Sequence, residues 1–226
     1  MKINLISLFP KMFEGPFAEG MVARAIKNEI VKINFWEMRK WAWNNYGAVD
    51  DKPYGGGVGM LIRVDVIDKA LKDLGLKKGT KNKKIILTSA KGKKFDQKMA
   101  EEWSKFDEIT IICGRYEGFD ERVSELVDEE VSIGDYVLTG GEIAATVMVD
   151  ACVRLLPGVL GKDESSQIES FSEIEMEGKK VRIKEFPQYT RPAEYENMKV
   201  PPELVSGDPK IVRKWQEERL KEGAGK

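Results

Sequence analysis

Residues 109–142 read ITIICGRYEGFDERVSELVDEEVSIGDYVLTGGE. The stretch opens on a β-branched run, Ile109-Thr110-Ile111-Ile112, that stops at Gly114, the pattern of a buried strand. The charged segment 120–130 carries Val123, Leu126 and Val127 on one helical face and predicts a short helix. Ile133-Gly134-Asp135-Tyr136-Val137-Leu138 then predicts a second strand that ends on the pair Gly140-Gly141. Glycine after a strand end lets a ligand approach the backbone with no Cβ in the way. In an open α/β sheet the carboxyl ends of the strands are where small ligands bind.

Working outward, the alternation in residues 2–8 predicts a first strand closed by Pro10. A helix is expected over 17–27, a strand over 30–35, and an aromatic segment with Trp41 and Trp43 over 37–46. Residues 64–74 carry Val66, Ile67, Ala70, Leu71 and Leu74 at helical spacing. A strand over 84–89 and a helix over 95–106 follow. A second apolar-faced helix is expected over 141–156, stopped by Pro157-Gly158. Strand and helix alternate as far as Pro157, which predicts an α/β fold with a mostly parallel sheet. The strand ends Leu87-Thr88-Ser89, Cys113-Gly114 and Val137-Leu138 would then bring three turns to one edge.

Beyond the last of these helices the composition changes. GKDESS at 161–166 is polar, so a main domain over 1–160 is expected, followed by an interdomain stretch over 161–176. A β-turn at Glu177-Gly178 opens a small, mainly helical domain over 177–226. Its last helix begins at Asp208, a capping residue, with Pro209 suited to the first turn and Ile211, Val212 and Trp215 on one face.

Composition narrows the chemistry. The 226 residues carry a net charge of −1 and no histidine. That excludes Ser-His-Asp and Cys-His catalysis, histidine metal sites and an imidazole base. Proton transfer must use a carboxylate, an amine, a phenol or water. Two cysteines, Cys113 and Cys152, are too few for a disulfide framework or a thiolate zinc site. No apolar run is long enough to span a bilayer, and the first residues lack a signal-peptide pattern, so a cytoplasmic location without membrane contact is expected. From Lys77 to Lys98 nine lysines face one acid, Asp96, a density that suits either a solvated face or contact with phosphates. The glycine-rich segment DDKPYGGGVGM at 50–60 fits neither the P-loop nor the dinucleotide fingerprint and reads as a mobile loop.

Five segments together carry a resemblance: ISLFPKMF at 6–13, VDDKPYGGG at 49–57, GRYEGFDER with SIGDYVLTGGE, and PQYTRP at 187–192. In this order and at this spacing they resemble the bacterial tRNA (guanine-N1)-methyltransferase family, the SpoU–TrmD class, from about residue 3 to residue 215. The resemblance implies a trefoil-knotted core that binds S-adenosylmethionine, a homodimer with its active site at the interface, and methylation of N1 of guanine at position 37 of tRNA. A related knotted enzyme acting on another RNA base, or an RNA-binding protein with weakened catalysis, stays open as an alternative. The implied cofactor residues are Leu87, Ser89, Gly114, Tyr116, Glu117, Gly118, Ile133, Gly134, Tyr136, Leu138, Gly140 and Gly141. Asp50, Gly59 and Arg24 are implied to meet the substrate, with residues 50–60 closing around the target guanine. Magnesium dependence is associated with the family, but no acidic cluster here marks an ion site.

The chemistry calls for a base to take the N1 proton and a cation near O6, where negative charge gathers. The resemblance carries these roles to Glu169 and Arg154. Family members have aspartate at the first position, whereas this chain reads Glu169-Ser170-Phe171. Glutamate keeps the carboxylate and adds a methylene, and a misplacement of about 1 Å can cost about 10²-fold in rate. Ala90 and Ala144 stand where prolines are usual, Val58 departs within the glycine loop, and the tail domain reads as shortened.

Overall fold

The alternating run at the start of the chain forms β1, Lys2–Ser7, and the β-branched run forms β6, Glu108–Ile112. These two strands pair in parallel, with Ile3 opposite Ile109 and Leu5 opposite Ile111. The computed structural model describes residues 1–160, 169–176 and 179–223, in two units, Met1–Gly161 and Lys162–Lys226.

In the first unit β2 (Lys32–Glu37), β5 (Lys83–Lys94) and β7 (Glu129–Ser132) complete a sheet of order β2-β1-β6-β5-β7. Every neighbouring pair in it is parallel. Short strands β3 (Asp50–Asp51) and β4 (Leu61–Ile62) form a separate antiparallel pair. The helices are α1 (Glu14–Ala18), α2 (Gly20–Lys27), α3 (Val64–Asp73), α4 (Gln97–Trp103) and α5 (Glu142–Val153).

Side chains alternate across the strands, so the sheet has two apolar faces. On one, Ile3, Leu5, Ile86, Ile109 and Ile111 pack with Met99 and Trp103 of α4 and Ala145, Met148 and Cys152 of α5. On the other, Ile6, Ile85, Leu87 and Ile112 pack with Val66, Ile67, Ala70 and Leu71 of α3 and with Met38 and Trp41. Each such buried aliphatic side chain contributes about 1.5–3 kcal/mol. Both faces being covered is what an all-parallel sheet requires.

Two expectations are corrected. The helix foreseen over 120–130 is a 3-10 turn, Glu121–Glu125, followed by β7. The strand foreseen over 133–138 is an irregular loop in which Val137 is 88 % exposed. The acidic residues hid the real strand: Glu129 is neutralised by Lys84 (3.2 Å) and Lys93 (3.7 Å) of the neighbouring β5, while Val131 is fully buried. The strand β5 also runs past its expected end. Its pairing slips between Thr88 and Lys93, both of which face Val131, so the residues between them form a bulge.

In the second unit β8 (Glu173–Met176) pairs antiparallel with β9 (Lys179–Arg182), and β10 (Glu194–Tyr195) with β11 (Met198–Lys199). Helices α6 (Pro202–Val205) and α7 (Pro209–Gly223) follow. Lys210 N–H donates to Asp208 Oδ1 at 2.8 Å, so Asp208 caps α7. Trp215 is buried, with the rings of Phe186 and Tyr189 each 6.3 Å away. This unit thus holds hairpins as well as helices. The expected turn at Glu177-Gly178 and residues 161–168 of the expected interdomain stretch lie outside the described residues. Among the described residues no helix is long and apolar enough to cross a membrane.

Candidate functional site

Three chain segments meet at the carboxyl end of β6 and the bulge of β5. Thr88 Oγ1 donates to the Ile112 carbonyl (3.2 Å) and accepts from Gly114 N–H (2.9 Å). Gly141 N–H donates to the Gly114 carbonyl at 2.8 Å. Space there is so limited that a Cβ on Gly141 would overlap Thr88 Oγ1 and lie 2.8 Å from Gly114 N. A Cβ on Gly114 would lie 2.9 Å from the Phe119 ring. Glycine at these two positions is required by close approach rather than by backbone angle.

Above this junction opens a cavity of about 600 Å³. Leu87, Ser89, Gly114, Tyr116, Glu117, Gly118, Ile133, Gly134, Tyr136, Leu138, Gly140 and Gly141 all line it. The twelve residues singled out in the sequence therefore share one space. Tyr116 holds a left-handed backbone (φ 59°), an unfavourable conformation for an aromatic residue, fixed here by the turn in which Gly118 N–H donates to the Arg115 carbonyl at 3.1 Å. Lys91 Nζ reaches Glu121 Oε2 at 2.5 Å, and both residues line the cavity. Asp120 accepts from Arg122 at 2.8 and 2.6 Å, and that guanidinium holds its carboxyl below the usual range.

A family model described as tRNA (Guanine-1)-methyltransferase TrmD matches residues 1–225. The chain belongs to the TrmD family. Among curated relatives, the tRNA (guanine-N(1)-)-methyltransferase of Mycoplasmopsis agalactiae is 49% identical, the match covering 96% of this chain and 91% of that protein. The enzymes of the same name from Persephonella marina and Enterococcus faecalis are 49% and 45% identical, over 96% of this chain in each case and 82% and 85% of theirs.

Around the cavity of this TrmD-family chain the other singled-out residues are distributed unevenly. Asp50, in β3, pairs with Ile62 of β4, which closes the base of the glycine loop. The loop's return strand lies on the cavity's lip, where Glu117 N–H donates to the Met60 carbonyl (3.1 Å) and Ile62 N–H to the Gly118 carbonyl (2.9 Å). Gly59 sits where a Cβ would collide with Glu117 Cγ and lie 2.9 Å from Oε1. Arg24 is exposed on α2 and is not among the cavity-lining residues. Arg154 follows the last turn of α5, at the opposite end from Gly141. Glu169 belongs to the second unit, at the head of a tight turn in which Ser172 N–H donates to its carbonyl (3.0 Å) and its own N–H donates to Ser172 Oγ (3.2 Å).

Sequence reading missed Ser7, Arg115 and Glu142. Glu142 is 1 % exposed, and its Oε1 accepts from Ser7 Oγ at 2.6 Å. Arg115 Nε donates to Oε1 at 3.2 Å, and its Nη2 lies 2.9 Å from Oε2, an ion-pair contact without hydrogen-bond geometry. An acid in the first turn of a helix is ordinary, so only burial sets Glu142 apart. Burial pushes the Cys113 thiol well up and that of Cys152 up to about 12, which keeps both protonated. Among the described residues no group of three His, Cys, Asp or Glu side chains could hold a metal ion.

Proposed function

We propose that this chain transfers the methyl group of S-adenosylmethionine to N1 of the guanine at position 37 of tRNA, beside the anticodon. One observation carries the reading: in a TrmD-family chain, all twelve expected cofactor residues line a single cavity at the carboxyl ends of parallel strands. Its volume suits a ligand of this size, and the closely packed glycines present backbone rather than side chains to the occupant. When bound, S-adenosylmethionine supplies a methyl group already activated by a sulfonium.

Glu169 takes the proton from N1, freeing its lone pair for attack. Negative charge then moves toward O6, where the Arg154 guanidinium stabilises it. Asp50 and Gly59 hold the base from the glycine loop, and Arg24 meets the tRNA. A C-terminal region over 177–226, joined through 161–176, assists tRNA binding, and a trefoil knot over the cofactor loops belongs to the same reading, as does action in the cytoplasm.

The active site is built by two chains. Within one chain Gly141 and Arg154 stand at opposite ends of α5, about 20 Å apart at 1.5 Å per residue. That is longer than an arginine side chain. Moreover, α5 is mostly apolar, with Glu142, Thr146 and Asp150 its polar residues, and apolar helix surface is ordinarily covered. Yet Ile143 and Val147 are 48 % and 44 % exposed in the single chain.

The test of the base is Glu169→Gln, expected to leave cofactor and tRNA binding intact while slowing single-turnover methyl transfer by roughly 10²–10⁴-fold. Full single-turnover rate in that variant ends the assignment. Unmodified tRNA transcripts with guanine or adenine at position 37 test the target. Mixing inactive Arg154→Ala with inactive Gly141→Val chains tests the shared site, since heterodimers should recover partial activity.

A further inference from the structure

The buried carboxylate of Glu142 has no place among the reacting groups, yet it is tied to the cavity from behind. It joins three distant parts of the chain: Ser7 at the end of β1, Arg115 after β6, and the start of α5, where it sits itself. Arg115 does more than neutralise it. Its Nη1 donates to the Thr139 carbonyl at 3.0 Å, and its guanidinium lies 4.7 Å from the Phe9 ring centroid. A Cβ on Gly140 would collide with Arg115 Nε. One planar fork thus holds the carboxylate and the Thr139 carbonyl while the Gly140 backbone rests against it, an arrangement a lysine cannot reproduce. Ser7 is fixed in turn, since its Oγ also accepts from Phe9 N–H at 2.8 Å.

We infer that Glu142 is a positioning residue for the cofactor cavity: it orients Arg115, which sets the Thr139-Gly140-Gly141 backbone as the cavity's rear wall. This rests on the reading of that cavity as the S-adenosylmethionine site. A buried charge left without its partner is costly, so the pair stays formed whether or not the cavity is filled. The wall is then prepared in advance, and binding need not order it.

The experiment compares wild type, Glu142→Gln and Arg115→Lys by calorimetry with S-adenosylmethionine, by steady-state kinetics and by amide hydrogen exchange over 139–141. Both variants should raise the dissociation constant and the KM for the cofactor about 10- to 100-fold. Their kcat at saturating cofactor should stay within about threefold of wild type, because neither residue touches the reacting atoms. Exchange at Gly140 and Gly141 should quicken in the unliganded variants. The double variant should be scarcely worse than either single one, since the two residues act as one unit. A lower melting temperature with cofactor affinity and exchange at 139–141 unchanged would mean a purely structural pair and overturns the inference. If Glu142→Gln does not fold, Ser7→Ala serves, with a three- to tenfold rise in KM expected and an unchanged KM counting against the proposal. Should wild type itself not bind S-adenosylmethionine, the functional reading fails, while quickened exchange at 139–141 in the variants would still show the positioning of the wall.

Discussion

The two ends of the parallel sheet are built on opposite terms. At the amino end, charge is packed in and satisfied. Glu108, 7 % exposed, meets Lys2 and Lys83 at 2.7 Å each and accepts from Asn4 Nδ2 at 2.8 Å. Asn4 in turn accepts from Asn34 and Trp36, so the network ties β6 to β1, β2 and β5. Nearby, Asp128 accepts from the backbone N–H groups of Gly79 and Ile85 at 2.7 Å each. At the carboxyl end side chains are withheld: Gly114, Gly140 and Gly141 bring backbone to backbone and leave a cavity above. The sheet is sewn shut at one end and held open at the other. Cavity-forming variants should therefore change binding more than stability, and amino-end variants the reverse.

The largest effect is expected at Gly141. In Gly141→Ala the new methyl meets Thr88 and Gly114, neither of which is the far end of a flexible chain. Calorimetry should show S-adenosylmethionine affinity reduced at least about 100-fold, equivalent to about 2.7 kcal/mol, with overpacking lowering stability by about 1–3 kcal/mol. Gly56→Ala is the matched control. Gly56 has φ 80° and nothing within 4 Å of a Cβ, so it carries a backbone cost of about 1–2 kcal/mol confined to an exposed loop. Affinity falling equally in both variants would erase the distinction between a wall glycine and a loop glycine.

A smaller and opposite effect is expected from Glu108→Ala. Loss of three partners should lower unfolding free energy by about 2 kcal/mol in urea titrations, with cofactor affinity unchanged within about twofold. If affinity falls instead, the two ends are coupled through the strands and the contrast breaks down.

How much of this could be read beforehand follows from what each feature depends on. The strands β1, β5 and β6 and helices α3 and α5 rest on local periodicity, and sequence reading located them to within a few residues at most ends. The cavity residues follow glycine-marked strand ends and a family resemblance, and all twelve share one space. β7 was hidden because Glu129 looks like a helix or loop residue until Lys84 and Lys93 of the adjacent strand are beside it. The loop at 133–138 looked like a strand because Ile133, Tyr136, Val137 and Leu138 are apolar, though here they edge a cavity. Ser7, Arg115 and Glu142 are 27 to 135 positions apart, and no local pattern joins them.

The finest test of the contrast is the pH dependence of stability. Burial opposes ionisation of Glu108, but hydrogen bonds from Lys2, Lys83 and Asn4 outweigh it and bring the carboxyl down from 4.5 to about 2. A folded-state value below the unfolded one means that the charged form favours the fold. Its contribution is complete above pH 4.5 and disappears as pH falls through about 2. A shift of this size at full strength corresponds to about 3 kcal/mol. Lys2 and Lys83 are 46 % and 37 % exposed, so water screens both pairs and about 1 kcal/mol is the better expectation. Asp65, Asp73 and Asp120 are also held below their usual range, through hydrogen bonds with Arg63, with Trp41 and Lys40, and with Arg122 respectively. The wild-type curve alone therefore sums several groups. The difference between wild type and Glu108→Gln isolates one: unfolding free energies should differ most at pH 5–6 and converge between pH 4.5 and 2. A gap that persists unchanged at pH 2 would mean that Glu108 acts through shape rather than charge, and the amino end would then lose its electrostatic character.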